Sequence, residues 1–125
     1  VLIIARDERV KQPQLEDFTP FYQEFEKALI ALQQGELLNC LTINGRAMCG
    51  VTNDIQGRKL SNDAFLSGAR ASGMTGSGPA IVFVIPSIVN SSVERIKKSL
   101  TRFMKLEQII ETKFLSKDSD ELEME

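Results

Sequence analysis

The sequence predicts an α+β fold, a sheet of about four mainly antiparallel strands with helices on one face. Short aliphatic runs of strand length open the chain (VLII) and return late, in AIVFVI and then in EQIIETKFL. Between them, apolar residues recur every three or four positions, the period of a helix packed on one side. With 125 residues, 42% hydrophobic and 26% charged, the chain makes one domain with a real core. A domain of this size hides roughly two-thirds of the surface its unfolded chain exposes.

Each element follows in order. Residues 1–6 read as a buried strand, and DERVKQPQLED as a polar connection containing Pro13. Phe18, Phe21, Tyr22, Phe25, Leu29 and Leu32 then mark a helix, with Thr19 as N-cap, Pro20 at its first position and Gly35 as its stop. A second helix lies in ELLNCLTINGRAMCGV, where Leu38, Leu41 and Met48 share a face. Asn44 and Gly45 in its middle cost about 1 kcal/mol of helix propensity, so either Gly45 allows close packing or Asn44 has a task. TNDIQGRKLSND reads as a turn-rich connection, residues 63–69 as a short third helix, and RASGM as a further short strand. AIVFVIP is a buried strand closed by Pro86. In the last helix Ser91 and Glu94 form a capping box ahead of the stripe Val93, Ile96, Leu100, Phe103 and Met104. Ile110, Thr112 and Phe114 alternate in a half-exposed final strand, and residues 116–125 form an acidic, flexible tail. This order is that of a ferredoxin-like α+β sandwich with extra helices in its first crossover.

Composition removes several function classes. A net charge of −2 and a pI near 5.3 give no field for a polyanion, so nucleic acid is not an expected partner. No window approaches the roughly 18 apolar residues of a membrane span. The opening run reads as a strand and not as a secretory leader, and the chain is expected to be a piece of something longer. The sequence has no histidine, which removes the commonest general base, most zinc sites and every Ser-His or Cys-His pair. Cys40 and Cys49, nine apart in one helix, read as reduced, packed residues of a cytoplasmic protein.

The densest chemical signal is GARASGMTGSGPAIVFVIP, residues 68–86. A dinucleotide fingerprint leads its glycines into a helix, whereas these lead into a strand. A Walker loop needs a lysine after its last glycine, and none follows Gly78. What remains is a bare turn or a glycine loop whose N–H groups form an anion nest. A plain hairpin needs two special residues. Here Gly73, Gly76 and Gly78 are interleaved with the hydroxyls of Thr75 and Ser77, a surplus that favours a functional loop.

ASGMTGSGPAIVFVIP resembles the third conserved motif of the GHMP small-molecule kinases, and within them is closest to the archaeal-type shikimate kinases. Those carry an Ala-Gly-x-Ser-Gly-Thr-Gly-Pro-Ala loop ahead of a Val-rich strand; here Ser and Thr are exchanged around Gly76. LTINGRAMCGVTND is similar to the family's Leu-Thr-Leu-Asn-Gly helix, with Arg46 in place of an apolar residue, and IIETKFLSKDSDE resembles its closing Thr-Lys strand. The resemblance covers nearly the whole chain but half of such an enzyme. It implies that residues 1–115 are the C-terminal domain, and that the Gly-Leu-Gly-Ser-Ser-Ala nucleotide loop belongs to an N-terminal domain not in this sequence.

The implied activity is transfer of phosphate from ATP, with Mg2+, to the 3-hydroxyl of shikimate, a chemistry of positioning and charge stabilisation. The resemblance assigns Gly73, Thr75, Gly76, Ser77 and Gly78 to the loop lining the acceptor and phosphate cleft, and ATP with Mg2+ mainly to the absent domain. Asn44 is either a polar contact in that cleft or an amide tying two helices. Arg46 and Arg70 are candidates for an acceptor carboxylate. The fragment alone is expected to be inactive, and the flank meant for its own N-terminal domain open to self-association. The alternatives are another GHMP kinase, such as homoserine kinase, and a non-catalytic ferredoxin-like ligand-sensing module. The latter places its glycine turn after the first strand, where this chain has DERVKQPQLED.

Overall fold

The computed structural model of the chain describes residues 1–6, 12–75, 78–86, 90–102 and 108–115. It is an α+β fold with one four-stranded antiparallel sheet. Strand β1 (Leu2–Ile4) lies between β3 (Ile81–Val84) and β4 (Ile109–Glu111), and β2 (Ala71–Met74) pairs with the far side of β3. The spatial order is therefore β2-β3-β1-β4. Three helices occupy the connection from β1 to β2: α1 (Tyr22–Gln33), α2 (Leu37–Val51) and α3 (Ile55–Leu66). Helix α4 (Asn90–Leu100) joins β3 to β4.

Register explains the core. Leu2 pairs with Phe83, and Ile4 with both Ile81 and Ile109, so these side chains share one face of the pleat. That face packs on Leu60 and Ala64 of α3 and on Ile96 and Leu100 of α4. A smaller cluster joins Met48, Cys49 and Val51 of α2 to Met74 of β2, under Phe18, Phe21 and Phe25. At the surface, the Lys97 ammonium ion-pairs with Glu111 and ties α4 to β4. Among the described residues no helix is long and apolar enough to cross a membrane.

All three crossover helices end in the same way. Past each end the chain takes a positive φ, at Gly35 (79°), Asn53 (55°) and Gly68 (110°). The next amide reaches back five residues: Glu36 N–H to the Ala31 carbonyl (2.9 Å), Asp54 to Cys49 (2.7 Å) and Ala69 to Ala64 (2.9 Å). These are Schellman closures, which satisfy carbonyls the helix leaves open.

Five expectations change, the first being that the closing strand holds only Ile109–Glu111, without Thr112 and Phe114, and turns Ile109 rather than Ile110 to the core. The third helix is not residues 63–69 but Ile55–Leu66. Asp54 caps it by accepting the Gly57 N–H at 2.9 Å, and its buried face is Gly57, Leu60, Ser61 and Ala64. With one large apolar residue on that face, the helical period was hidden. Thr19 and Pro20 do not open α1; they lie in a 3-10 helix (Leu15–Phe21) that runs into it. The N-cap of this 3-10 helix is Gln14, whose N–H donates to the Asp17 carboxylate at 2.8 Å. The buried face of α1 is Ala28 and Ala31, flanked by half-buried Phe25, so Tyr22, Leu29 and Leu32 are exposed. The first strand is shorter than residues 1–6, ending at Ile4 and leaving Arg6 free for another task. The side chain of Ser91, the stripe positions Phe103 and Met104, and the tail 116–125 lie outside the described residues.

Candidate functional site

The site residues are carried by α2 and β2, which pack backbone to backbone. A Cβ at Gly45 would sit 2.7 Å from the Gly73 Cα and 3.1 Å from the Ser72 carbonyl oxygen. Gly45 is therefore the mid-helix glycine that permits close packing. One hydrogen bond fixes the contact, from the Ser72 N–H to the Thr42 hydroxyl oxygen (3.3 Å), and another ties β2 to α3, where the Ser72 and Ser61 hydroxyls meet at 2.7 Å. Gly73 is consequently a buried strand residue facing Leu41.

At one end of β2 lies the glycine loop. Met74 pairs with Ile81, so residues 75–80 connect two antiparallel neighbours as a hairpin loop. The Thr75 N–H donates to the Ala80 carbonyl (3.0 Å), and the Gly78 N–H to the Thr75 carbonyl (3.1 Å). Gly78 has φ +90°, which requires glycine there, and its bond to Pro79 is cis. Gly76 and Ser77 lie outside the described residues. The amides of Thr75 and Gly78 are thus used within the loop and are not turned toward a ligand.

The far side of this loop is anchored by residues whose role the sequence did not reveal. Arg6 Nε donates to the Pro79 carbonyl at 2.8 Å, and its guanidinium pairs two-pronged with the Asp54 carboxylate. Both side chains are nearly buried, at 9% and 7% exposure. Burial works against the Asp54 charge. The hydrogen bonds from Arg6 and the Gly57 N–H, with the Arg6 charge itself, outweigh it and hold the carboxyl below its usual range. One carboxylate therefore caps α3, closes the connection from α2 and neutralises the arginine that holds the loop. Its readable signal was an Asp, a favoured N-cap residue, ahead of Ile55; nothing local marked Arg6. Nearby, burial and the Asp54 charge push the Cys49 thiol up to about 11, against smaller opposing effects of Arg58 and Arg6.

At the other end of β2 the structure brings Arg46 and Arg70 to one open cavity of about 550 Å³. Its wall also includes Glu36, Asn39, Thr42 and Phe65, with Leu37 and Leu38. The Arg46 guanidinium lies over the Phe65 ring, 5.4 Å from its centre, and the Arg70 N–H is fixed to the Val84 carbonyl at 2.7 Å. Asn44 is half-buried beside Gly45 and is not part of this wall. Arg70 and Thr75 are separated by the length of β2, on the order of 16 Å at about 3.3 Å per residue. The cavity joins the two arginines, and neither Thr75 nor Gly78 lies on its wall.

Among the described residues no group of three or more His, Cys, Asp or Glu is placed to hold a metal ion. No protein-family model, curated protein or solved structure matches the chain.

Proposed function

We propose that this chain is the C-terminal domain of an ATP-dependent small-molecule kinase of the GHMP type, with shikimate as acceptor. One observation carries the reading. The two segments on which the resemblance rests, LTING and ASGMTGSGP, are distant in sequence yet lie against each other through Gly45 and Gly73. A second support is the strand order β2-β3-β1-β4, which suits a ferredoxin-like sandwich.

In this reading the hairpin loop closes over the phosphate being transferred. Thr75 and Gly78 set its shape through their internal hydrogen bonds, and the resemblance is what assigns the loop to the phosphate. Arg6 holds the loop against α3 through the Pro79 carbonyl. ATP with Mg2+ belongs to the nucleotide-binding domain, and when bound supplies the phosphoryl group and neutralises its charge. The protein is cytoplasmic in this reading, its acceptor is a small molecule, and its first partner is its own nucleotide-binding domain.

The test is ADP release with ATP, Mg2+ and shikimate. The 125-residue chain should give none, and a chain extended upstream through a Gly-Ser-Ser nucleotide loop should turn over. Turnover by the short chain overturns the domain assignment. Silence of the extended chain toward shikimate and homoserine alike overturns the kinase. In an active enzyme Gly76→Val should abolish turnover with the fold retained, and unchanged kinetics would return the loop to an ordinary hairpin.

A further inference from the structure

We propose that the cavity at the arginine end of β2 is a separate binding site for a small organic anion, a carboxylate or a phosphate monoester. The proposal stands whether or not the chain belongs to a kinase, because it is argued from this cavity alone.

The charges come first. Arg46 and Arg70 face the cavity with one carboxylate, Glu36, on its wall, so the wall carries net positive charge. Among the described residues neither arginine has an ion-pair partner. Their charges are therefore not consumed by the fold, unlike that of Arg6.

Order comes second. A guanidinium binds an oxyanion through the edge of its plane, and stacking on an aromatic ring holds the plane while leaving that edge free. Phe65 does this for Arg46. The backbone of Arg70 is fixed by its bond to Val84 at the start of the sheet. Thr42 adds a donor: its oxygen accepts the Ser72 N–H, which leaves the hydroxyl proton for a ligand. Asn39 stands one turn before it on the same face of α2.

The helix end comes third. The Glu36 side chain does not cap the N-terminus of α2, and the first-turn residues 37–39 line the same cavity. The positive end of the α2 dipole thus lies on the same cavity wall as the two arginines. A volume of about 550 Å³ lies within the range of small-molecule sites, and the exposed Leu37 and Leu38 suit the carbon skeleton of an organic anion. The separation of the cavity from the glycine loop makes it a second site and not the place of phosphate transfer.

The experiment is a titration of the 15N-labelled 125-residue chain with inorganic phosphate and with benzoate, at constant ionic strength set by sodium chloride. Saturable shifts are expected at the amides of residues 37–39 and 42 and at the Nε–H groups of Arg46 and Arg70, with Thr75 and Gly78 unmoved. Saturation by phosphate, benzoate or both supports the site, and saturation by one alone tells a phosphate monoester from a carboxylate ligand. Arg46→Gln and Arg70→Gln, both exposed positions, should each weaken binding about tenfold. Glu36→Gln should tighten it by removing the one opposing charge. Shifts that grow linearly with either anion, or an affinity unchanged in the Arg46→Gln, Arg70→Gln double variant, overturn the proposal. Because the readout is binding, its failure leaves the kinase reading standing, and a silent kinase assay leaves the anion site standing.

Discussion

At the loop end of β2, polar groups are spent on holding shape. The amides of Thr75 and Gly78 go to carbonyls within the loop, and Arg6 and Asp54 neutralise each other out of water. At the opposite end the arginines are steadied by a ring and by the backbone, but no carboxylate neutralises them among the described residues. Both ends hang on the same helix, α2. A buried, matched pair contributes to the fold and resists change, whereas an exposed, unmatched pair contributes little to the fold and stays available to a ligand.

The largest effect should come from removing what the two ends share. A valine at Gly45 would drive its side chain into the Gly73 and Ser72 backbone, and backbone cannot swing aside. Helix α2 would have to lift from β2, separating the loop from its cluster and opening the arginine cavity. Gly45→Val should therefore cost at least about 4 kcal/mol or prevent folding, beyond ordinary overpacking. Urea denaturation checks this. A loss below about 1 kcal/mol would show that α2 and β2 are not locked at this point.

Next comes the loop end alone. Asp54→Asn leaves the Arg6 guanidinium nearly buried and without its counter-charge, for a loss of about 3 kcal/mol. The pH dependence follows in sign. The folded pKa of Asp54 lies below its ordinary value of 3.8. Its contribution is complete above that value and is lost as pH falls through the lower, folded one. Acid denaturation should be steeper in the parent protein than in Asp54→Asn; parallel curves would mean the pair adds nothing.

These two sites also show what could be read from the residues. Gly35 was legible as a helix stop because glycine before a new apolar period has few other uses, and AIVFVI was legible because nothing but a buried strand suits it. The third helix was not, because its buried face is built of Gly57, Ser61 and Ala64 around a single leucine. The orientation of α1 was not, because Phe25, its leucines and its alanines are all apolar and only packing decides which face turns inward. Gly45 was readable as an anomaly with two explanations, and the neighbour across from it chose one. Arg46 and Arg70 were readable singly as possible anion contacts. Their meeting depends on the turn after α3 and on Phe65, and Arg6 with Asp54 depends on the whole first crossover. Local chemistry was visible; contacts made across the fold were not.

A smaller effect is expected at the arginine end. Arg46→Ala removes an exposed guanidinium from the Phe65 ring, about 0.5 kcal/mol or less. Thermal unfolding should scarcely move, in contrast to Asp54→Asn. A loss as large as that of Asp54→Asn would mean that Arg46 is structural after all, and the distinction between the ends would fail.

The last prediction uses no substitution, because α2 carries a thiol toward each end. Cys40 lies half-buried in its first turn, and Cys49 is buried beside Asp54 near the loop. Only the thiolate attacks a disulfide reagent. With a pKa raised from 9.0 to about 11, Cys49 has roughly a hundredfold less thiolate near neutral pH than an ordinary thiol. Burial of its sulfur slows it further. With an aromatic disulfide at pH 8, one thiol should react in a fast phase that maps to Cys40, and Cys49 should wait for denaturant. Equal rates would mean that the loop end opens as readily as the arginine end, and that the matched charges there do not hold it shut.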